Sequence, residues 1–303
     1  MALINSSNFA KALWPGVNTW FGQKYKEYPA EWESLFEKYT SRRQWEEDVG
    51  YSGFGLFAVK NEGAPITYDS AKQGFTSRYT HIVYALGFIV TREMFDDDLY
   101  DIVGQRRAKG LAFAMGQTKD VIGANVYNNA FSSSYTGGDG VSMINSAHPN
   151  IAGGTYSNVM ATATDLCEAA LEQACIDIAG FTNDRGLRIA VRPQKLIIPY
   201  QLEFEATRLL KTVYRVGTAN NDVSAIVENN RFPGGYMIDH YLTSSTAWFL
   251  RTDVENGLKY FERNPDSFDM DNDFDTENAK FKGRMRFSFG WTDPRGIYGT
   301  AGA

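Results

Sequence analysis

The most regular alternation of apolar and polar positions lies at residues 81–90, "HIVYALGFIV". One face of this run would carry Ile82, Tyr84, Leu86, Phe88 and Val90. This pattern predicts a β-strand, and "FGLFAVK" at 54–60 predicts a second one. The polar, turn-rich residues between them predict a long hairpin. A two-stranded hairpin is only marginally stable alone, so its edges are expected to be covered or paired.

The absence of proline and an acidic start predict one long helix over residues 91–131, roughly 60 Å if unbroken. It opens on Asp96, Asp97 and Asp98, which suit the positive end of a helix. Its glycines are Gly104, Gly110, Gly116 and Gly123. Each costs up to about 1 kcal/mol in a helix, so close packing or a bend is expected to compensate for it.

The stretch 164–215 alternates between helical and strand patterns, which indicates a compact α+β or α/β unit. The amphipathic run "DLCEAALEQACIDIAGF" predicts a helix, "LRIAVRPQKLIIP" a buried strand interrupted by Pro193, and "YQLEFEATRLLKTVY" another helix. Short strands are predicted after it, at "YMIDHYL" and "TAWFLRT", and a final strand at "AKFKGRMRFSFGW".

Residues 1–48 are dense in aromatic side chains but show little period. Only "PAEWESLFEKY" at 29–39 has helical spacing, with one face formed by Trp32, Leu35, Phe36 and Tyr39. The remainder is predicted to be an extended arm lying on another surface, because large rings gain much from burial. The alternative is a terminal segment folded on its own domain.

Composition narrows the class of protein. The chain has 303 residues, 43% of them hydrophobic, which is ample for a packed core of one large or two modest domains. A net charge of −6 argues against a nucleic-acid-binding face. Cys167 and Cys175 lie about 12 Å apart if both are in one helix, so a disulfide between them is not expected. No leader or membrane-spanning segment is predicted, which favours a soluble chain.

Patterns typical of enzymes are weak. His81, His148 and His240 are the only histidines, and none has a partner at metal-ligand spacing. "GYSGF" at 50–54 has Phe where a nucleophile elbow needs its second glycine. "GFGLFA" at 53–58 does not open a helix, as a nucleotide fingerprint must. The sequence therefore predicts no enzyme, cofactor or metal.

The acidic stretch "DSFDMDNDFDTEN" at 266–278 is the remaining candidate for chemistry. Asp269, Asp271 and Asp273 have the spacing of calcium ligands, but Lys280 or Lys282 stands where an EF-hand needs its last carboxylate. The stretch is therefore interpreted as an exposed turn before the final strand. Its alternative is a metal-dependent enzyme built on these carboxylates.

Five ordered stretches resemble the major capsid proteins of tailed bacteriophages, in particular the Mu-like major head subunit family. They are "VTREMFDDDLYDIV" (90–103), "GDGVSMINSAHP" (138–149), "TYSN" (155–158), "LRIAVRPQKLIIPYQLEFEATRLL" (187–210) and "FDTENAKFKGRMRFSFGWTDPRGIYG" (274–299). The resemblance implies an α+β chain with the Johnson capsid fold. Its parts would be an N-arm (1–48), an extended E-loop hairpin (49–88), a P-domain with the spine helix (89–159), an α/β A-domain (160–240) and P-domain return strands (241–303).

On this resemblance the protein is a major capsid protein in a virion, made in the host cytoplasm. It would form hexamers and pentamers of an icosahedral shell around double-stranded DNA. Expected partners are further copies of the chain, a portal, a scaffolding protein and a cement or decoration protein, with packaged DNA bound without sequence specificity and no membrane. Because the chain begins at Met1, a separate scaffolding protein is expected. An encapsulin-like bacterial compartment is the alternative with the same fold.

Candidate intersubunit contacts follow from the arm, the E-loop and the charged strands. They are Trp14, Trp20, Phe21, Lys60, Lys72, Arg78, Asp271, Asp273, Arg284 and Arg286. Acidic and basic residues around the last hairpin are expected to pair within the chain or across subunits. Some relatives crosslink an E-loop lysine to a neighbour's asparagine. Lys60 or Lys72 could serve here, but no motif marks the partner, so crosslinking is not predicted.

Overall fold

The computed structural model describes residues 29–93, 100–214, 223–273 and 275–303. The helices of these residues, apart from three short 3-10 turns, are α1 (Tyr100–Asn128), α2 (Glu168–Ala179), α3 (Glu203–Lys211) and α4 (Ala225–Glu228). The strands of the first half are β1 (Glu37–Thr40), β2 (Trp45–Tyr51), β3 (Gln73–Thr80), β4 (Ile82–Val90), β5 (His148–Pro149) and β6 (Thr155–Tyr156). Those of the second half are β7 (Pro193–Ile198), β8 (Tyr236–Ile238), β9 (Trp248–Thr252), β10 (Leu258–Asn272), β11 (Ala279–Trp291) and β12 (Ile297–Thr300).

The described chain divides into two units, each with its own core. The first comprises residues from 29–45, 80–123 and 260–288, and the second residues from 46–79, 124–259 and 289–303. The strands form two four-stranded sheets, in the orders β1-β10-β11-β4 and β12-β9-β7-β8. Two smaller pairs are β2-β3 and β5-β6. The mixture of helices and sheets confirms the predicted α+β class.

In the first unit, strand β4 pairs antiparallel with β11, from Ala279 opposite Val90 to Phe287 opposite Ile82. Ring pairs reinforce this register, because Phe88 stacks on Phe281 at 4.8 Å and Tyr84 on Phe287 at 4.9 Å. Helix α1 lies close against the sheet. A Cβ at Gly283 would come within 2.6 Å of Met115 Cε on this helix, so a larger residue there would require the methionine side chain to shift.

In the second unit, strand β7 is central. It pairs parallel with β8 and antiparallel with β9. Leu196, Ile197 and Ile198 are all fully buried, as expected for a continuous apolar run in a strand covered on both faces. The buried face of α2 packs into the same core through Ala170, Leu171, Ala174 and Ile178. The predicted helices and strands of residues 164–252 are therefore confirmed, with narrower bounds.

Two predicted elements are wrong. Residues 54–60 form no strand, and the hairpin consists of β2 and β3, while β4 belongs to the other sheet. A strand requires a pairing partner, and β4 finds one in β11. The predicted helix over 29–39 is a 3-10 turn at Trp32–Ser34 followed by β1. Trp32, Leu35 and Phe36 are nevertheless buried, so the apolar pattern identified core residues but not their backbone geometry.

The long helix is confirmed from Tyr100 to Asn128, where its 29 residues extend about 43 Å. The predicted start at Asp96, Asp97 and Asp98 lies outside the described residues. Close packing does not compensate for Gly110 or Gly116, since an added Cβ at either position would meet open space. The acidic stretch is mostly strand, because β10 runs to Asn272 and the turn begins only at Asp273.

Candidate assembly surfaces

Residues 52–72, between strands β2 and β3, form an extended segment without regular secondary structure, here called the projecting loop. Its large apolar side chains are exposed. The exposed fractions are 82% for Leu56, 104% for Phe57, 94% for Val59 and 85% for Tyr68. Contiguous apolar side chains in water mark an interaction surface, because burying each one is favourable. The projecting loop is therefore the strongest candidate contact surface among the described residues.

Polar contacts hold the loop at its base and along its returning limb. Ser52 N donates to Lys72 O at 2.9 Å, and Lys72 N donates to Ser52 Oγ at 2.8 Å. Further along, Asp69 Oδ2 accepts from Gly55 N at 2.8 Å and from Arg185 Nη1 at 2.6 Å. The hydrogen bond from Gly55 N, followed by that from Arg185, lowers the pKa of Asp69 below its usual value. The loop is thus tethered to its own unit while its apolar residues face solvent.

The sequence-predicted contact residues of the hairpin occupy different places. Lys60 and Lys72 are both exposed in the projecting loop, and Arg78 is exposed on strand β3. Lys60 lies next to Val59, so it is part of the exposed apolar stretch, whereas Lys72 closes the base of the loop through its backbone. Trp14, Trp20 and Phe21 of the predicted arm lie outside the described residues.

The second group of predicted residues lies around the β10–β11 hairpin in the first unit. Asp271 is exposed on β10, and Lys280, Lys282 and Arg284 are exposed at alternate positions of β11. The adjacent strand β4 has no charged residue. The face of β11 is consequently a row of cations beside an apolar edge strand.

Pairing within the chain, one of the two predicted possibilities, occurs at Asp273. Its Oδ2 lies 2.6 Å from Lys280 Nζ, and this hydrogen bond lowers the pKa of Asp273. Arg286, by contrast, donates from Nε to the backbone oxygen of His81 at 3.3 Å. Asp266 also has a lysine partner, because Lys119 Nζ lies 2.7 Å from its Oδ2. With Glu277, whose Oε2 lies 3.8 Å from Arg92 Nη1, three carboxylates of the acidic stretch are engaged in ion pairs.

A further exposed apolar group belongs to the second unit and was not predicted. Ile176 of α2, Tyr200 and Phe204 are exposed by 65%, 54% and 74%. Ile176 and Phe204 lie on helices whose opposite faces enter the core, so amphipathicity alone predicts polar residues there. Apolar residues on the outward faces of these two helices are the sequence signal that could have predicted this exposed group.

The interior of the second unit contains a buried polar cluster that sequence reasoning also missed. Arg295, only 6% exposed, lies between Asp184 Oδ1 at 3.0 Å and Asp293 Oδ1 at 3.4 Å, and its guanidinium carbon is 4.0 Å from the Tyr156 ring centroid. Burial raises the pKa of Asp293, outweighing the neighbouring guanidinium. Tyr156, Asp184 and the pair Asp293 and Arg295 come from distant parts of the sequence, so no local motif predicts that they form a cluster.

The described residues contain no cluster of side chains that could bind a metal ion. Among residues 29–93, 100–214, 223–273 and 275–303, no three His, Cys, Asp or Glu side chains converge as a metal site. Cys167 and Cys175 are both free thiols. Within the same described ranges, no helix combines the length and apolar character that a membrane crossing requires.

Solved structures with the same fold are shells. The fold resembles the capsid of a native GTA particle (TM-score 0.55, 12% identity, 89% of each chain covered) and the procapsid of bacteriophage JBD30 (TM-score 0.52, 14% identity, 95% of this chain and 75% of that one). It also resembles a virus-like particle from Pyrococcus furiosus (TM-score 0.50, 10% identity, 94% of this chain and 97% of that one). No curated protein matches the sequence significantly. The chain therefore shares the fold of these particle-forming proteins.

Family membership follows from the sequence. A family model described as "Phage capsid protein" matches residues 74–300, which is most of the chain. The protein belongs to this family and is a structural subunit of a phage capsid shell. The predicted capsid fold and function are thereby confirmed at the level of the family.

Proposed function

We propose that copies of this chain assemble into hexamers and pentamers that close into an icosahedral shell around double-stranded DNA. The observation that carries the proposal is the projecting loop, whose apolar side chains are not covered by the described residues of the chain. Membership of the phage capsid family supports a second copy of the chain as the cover. In such a shell, part of the folding energy is also assembly energy, since contacts between subunits stabilise the folded state.

The charged row on β11 is proposed as a second contact region. Lys282 and Arg284 are exposed, and neither side chain forms an ion pair with another described residue. A neighbouring subunit with net negative charge offers complementary groups, since the chain carries −6 overall. Arg78 and Asp271, both exposed, are proposed contacts of the same electrostatic kind.

The resemblance supplies the remaining parts of the proposal. Residues 1–48 would act as the N-arm, with Trp14, Trp20 and Phe21 on a neighbouring subunit, and the portal, scaffolding and decoration proteins would be separate partners. The DNA would be enclosed without sequence-specific binding, and a container with net negative charge would not hold its phosphates tightly through counterion release. Synthesis in the host cytoplasm completes this proposal.

The test is negative-stain electron microscopy with light scattering on the chain expressed alone and with its neighbouring genes. Closed shells, tubes or capsomer-sized rings are expected. A monodisperse monomer under every condition would overturn the proposal.

The compartment alternative draws on the fold similarity to the Pyrococcus furiosus virus-like particle. Neighbouring genes discriminate between the two candidates, since portal and terminase genes accompany a phage capsid and cargo enzymes accompany a compartment. DNA recovered from nuclease-treated particles would favour the capsid, whereas an enclosed enzyme without DNA would favour the compartment.

A further inference from the structure

The most constrained titratable group of the second unit is His148. Its side chain is completely buried, and both ring nitrogens face oxygen atoms. Nδ1 lies 2.6 Å from Asp139 Oδ2, and Nε2 lies 3.0 Å from Asn158 Oδ1. Because the ring has no access to solvent, water cannot substitute for either partner.

The orientation of the Asn158 amide is fixed by its other neighbours. Its Nδ2 lies 2.9 Å from Met143 O, 2.9 Å from Pro294 O and 3.2 Å from Ile297 O. Its Oδ1 also accepts a hydrogen bond from Asn145 N at 2.8 Å. Exchanging the two amide atoms would place an oxygen against three carbonyl oxygens and a nitrogen against an N–H. The atom facing His148 Nε2 is therefore an acceptor.

Two acceptors on one imidazole require two protons. A neutral imidazole carries one N–H, so it could satisfy either Asp139 or Asn158 but not both. The proton shared with Asp139 could lie on either partner. A carboxylic acid is ordinarily the stronger acid of the two, and Asp139 Oδ1 also accepts from Val141 N at 3.3 Å, which favours the carboxylate. The second proton therefore belongs to the ring.

We propose that His148 is a buried imidazolium that acts as a proton-dependent latch within the second unit. With both protons in place, it joins the loop containing Asp139 to Asn158. Asn158 in turn binds the backbone at Met143, Pro294 and Ile297, so the latch connects residues 139–158 to a segment that begins 136 residues further along the chain. A ring with only one of these protons would leave one of the two acceptors facing a lone pair, and these connections would loosen.

The charged groups around the His148 ring can be named from the contacts of the described residues. Asp139 is the ionisable group that hydrogen-bonds the ring, and the Tyr156 ring stacks on it with centroids 5.1 Å apart. On Tyr156 lies the Arg295 guanidinium, with Asp184 and Asp293 as its partners. Loss of charge at His148 therefore alters a network that contains one further cation and three carboxylates.

Nitrogen-15 NMR of the full-length chain, labelled at histidine, tests the protonation state directly. His148 is assigned by its absence from the His148→Gln variant. At neutral pH the wild-type ring is expected to show protons on both Nδ1 and Nε2. A ring with one protonated nitrogen and one lone pair would overturn the proposal without recourse to any further variant.

The variant Asp139→Asn supplies the matched control. Its amide keeps an oxygen for Val141 N and can donate to an unprotonated Nδ1, so a neutral ring protonated at Nε2 satisfies every partner. The expected spectrum of this variant therefore shows one protonated nitrogen. Two protonated nitrogens in both proteins would contradict the role given to Asp139.

Hydrogen exchange measures the latch itself. The amides of Asn145, Asn158 and Gly299 donate to Asn158 Oδ1, Asn145 O and Asn158 O, so their protection reports on these connections. At one fixed pH, protection of these amides is expected to be lower in His148→Gln than in the wild type, because a glutamine amide does not place donors at both imidazole positions. Asp139→Asn, in which a neutral ring satisfies every partner, should keep the wild-type protection. Equal protection in His148→Gln and the wild type would overturn the latch.

Discussion

The projecting loop gives the sharpest test of how the subunit assembles. Phe57 and Val59 are exposed by 104% and 94%, so replacing both with serine removes apolar surface that the isolated subunit does not bury. The unassembled double variant Phe57→Ser/Val59→Ser should therefore fold as the wild type does. Its free energy of unfolding should change by no more than about 0.5 kcal/mol, the usual range for surface substitutions.

The effect on assembly should be much larger. Fully burying a Phe or Val side chain contributes about 1.5–3 kcal/mol, so the pair contributes roughly 3–6 kcal/mol for each subunit that joins a shell. Since about 1.4 kcal/mol corresponds to a factor of ten, the threshold concentration for assembly should rise by roughly two to four orders of magnitude. The same two side chains should therefore contribute little to the stability of the monomer and much to the stability of the particle.

Light scattering against protein concentration, with electron microscopy of the end point, measures that threshold. Glu62→Gln is the matched control, because Glu62 lies in the same exposed loop but presents little apolar surface. It should assemble at the wild-type concentration. An unchanged threshold for the double serine variant would refute the assignment of the projecting loop to an intersubunit contact, whereas loss of folding in the monomer would refute the premise that these side chains are uncovered.

Four further outcomes are expected. Lys119→Met removes the buried lysine partner of half-buried Asp266 and should lower the unfolding free energy by up to about 3 kcal/mol in urea denaturation, with most of it restored by adding Asp266→Leu. Burial raises the pKa of Asp120 to about 6, so the cost of ionising it is absent in acid, grows as pH rises from the ordinary carboxyl value to about 6, and is complete above that. Asp120→Asn, which can still accept from Trp32 N, should therefore raise stability at neutral pH by less than about 1 kcal/mol and flatten the melting temperature between those pH values; an unchanged pH profile would contradict this. Added salt should alter assembly yield more than the melting temperature of the subunit, since the β11 cations are exposed, and equal shifts in both would contradict their role between subunits. Particles boiled in detergent should run as a 33.9 kDa monomer, whereas a ladder of higher masses would reveal a crosslink at Lys60 or Lys72.

Sequence patterns predicted those elements whose burial repeats along the chain. Helix α2 and strands β4 and β11 present apolar residues at their own period, strands β7 and β9 contain continuous apolar runs, and the structure contains all five elements. Residues 29–39 show where this reasoning fails. Their spacing correctly marks Trp32 and Phe36 as buried, but the chain leaves the 3-10 turn to pair β1 with β10, a partner more than 200 residues away that no local window contains.

The prediction of a turn over the acidic stretch 266–278 was wrong for a related reason. Its carboxylates suggested a solvated turn, yet "SFDMDN" alternates in the way a half-buried strand does, with Phe268 inward and Asp269 outward. Phe268 stacks near Phe281 of the next strand at 6.1 Å, which extends β10 through the acidic residues. The density of carboxylates favours a turn, but the alternation of apolar and polar positions favours a strand. The burial of Phe268 makes the strand the stable structure.

The projecting loop exposes apolar side chains, whereas the polar cluster around Arg295 buries charged ones. One short turn of the second unit, residues 183–187, contacts both. Asn183 Oδ1 accepts from Arg185 N at 2.9 Å and from Leu187 N at 3.0 Å, which fixes the backbone of this turn. Asp184 then reaches inward to Arg295, while Arg185 reaches outward to Asp69 of the loop. The buried ion pair is thus poorly explained as a source of stability, since desolvation offsets much of its attraction. It is better explained as a means of holding the anchor of the loop in one orientation, which in the proposed assembly would present the exposed apolar residues to a neighbouring subunit in a defined direction.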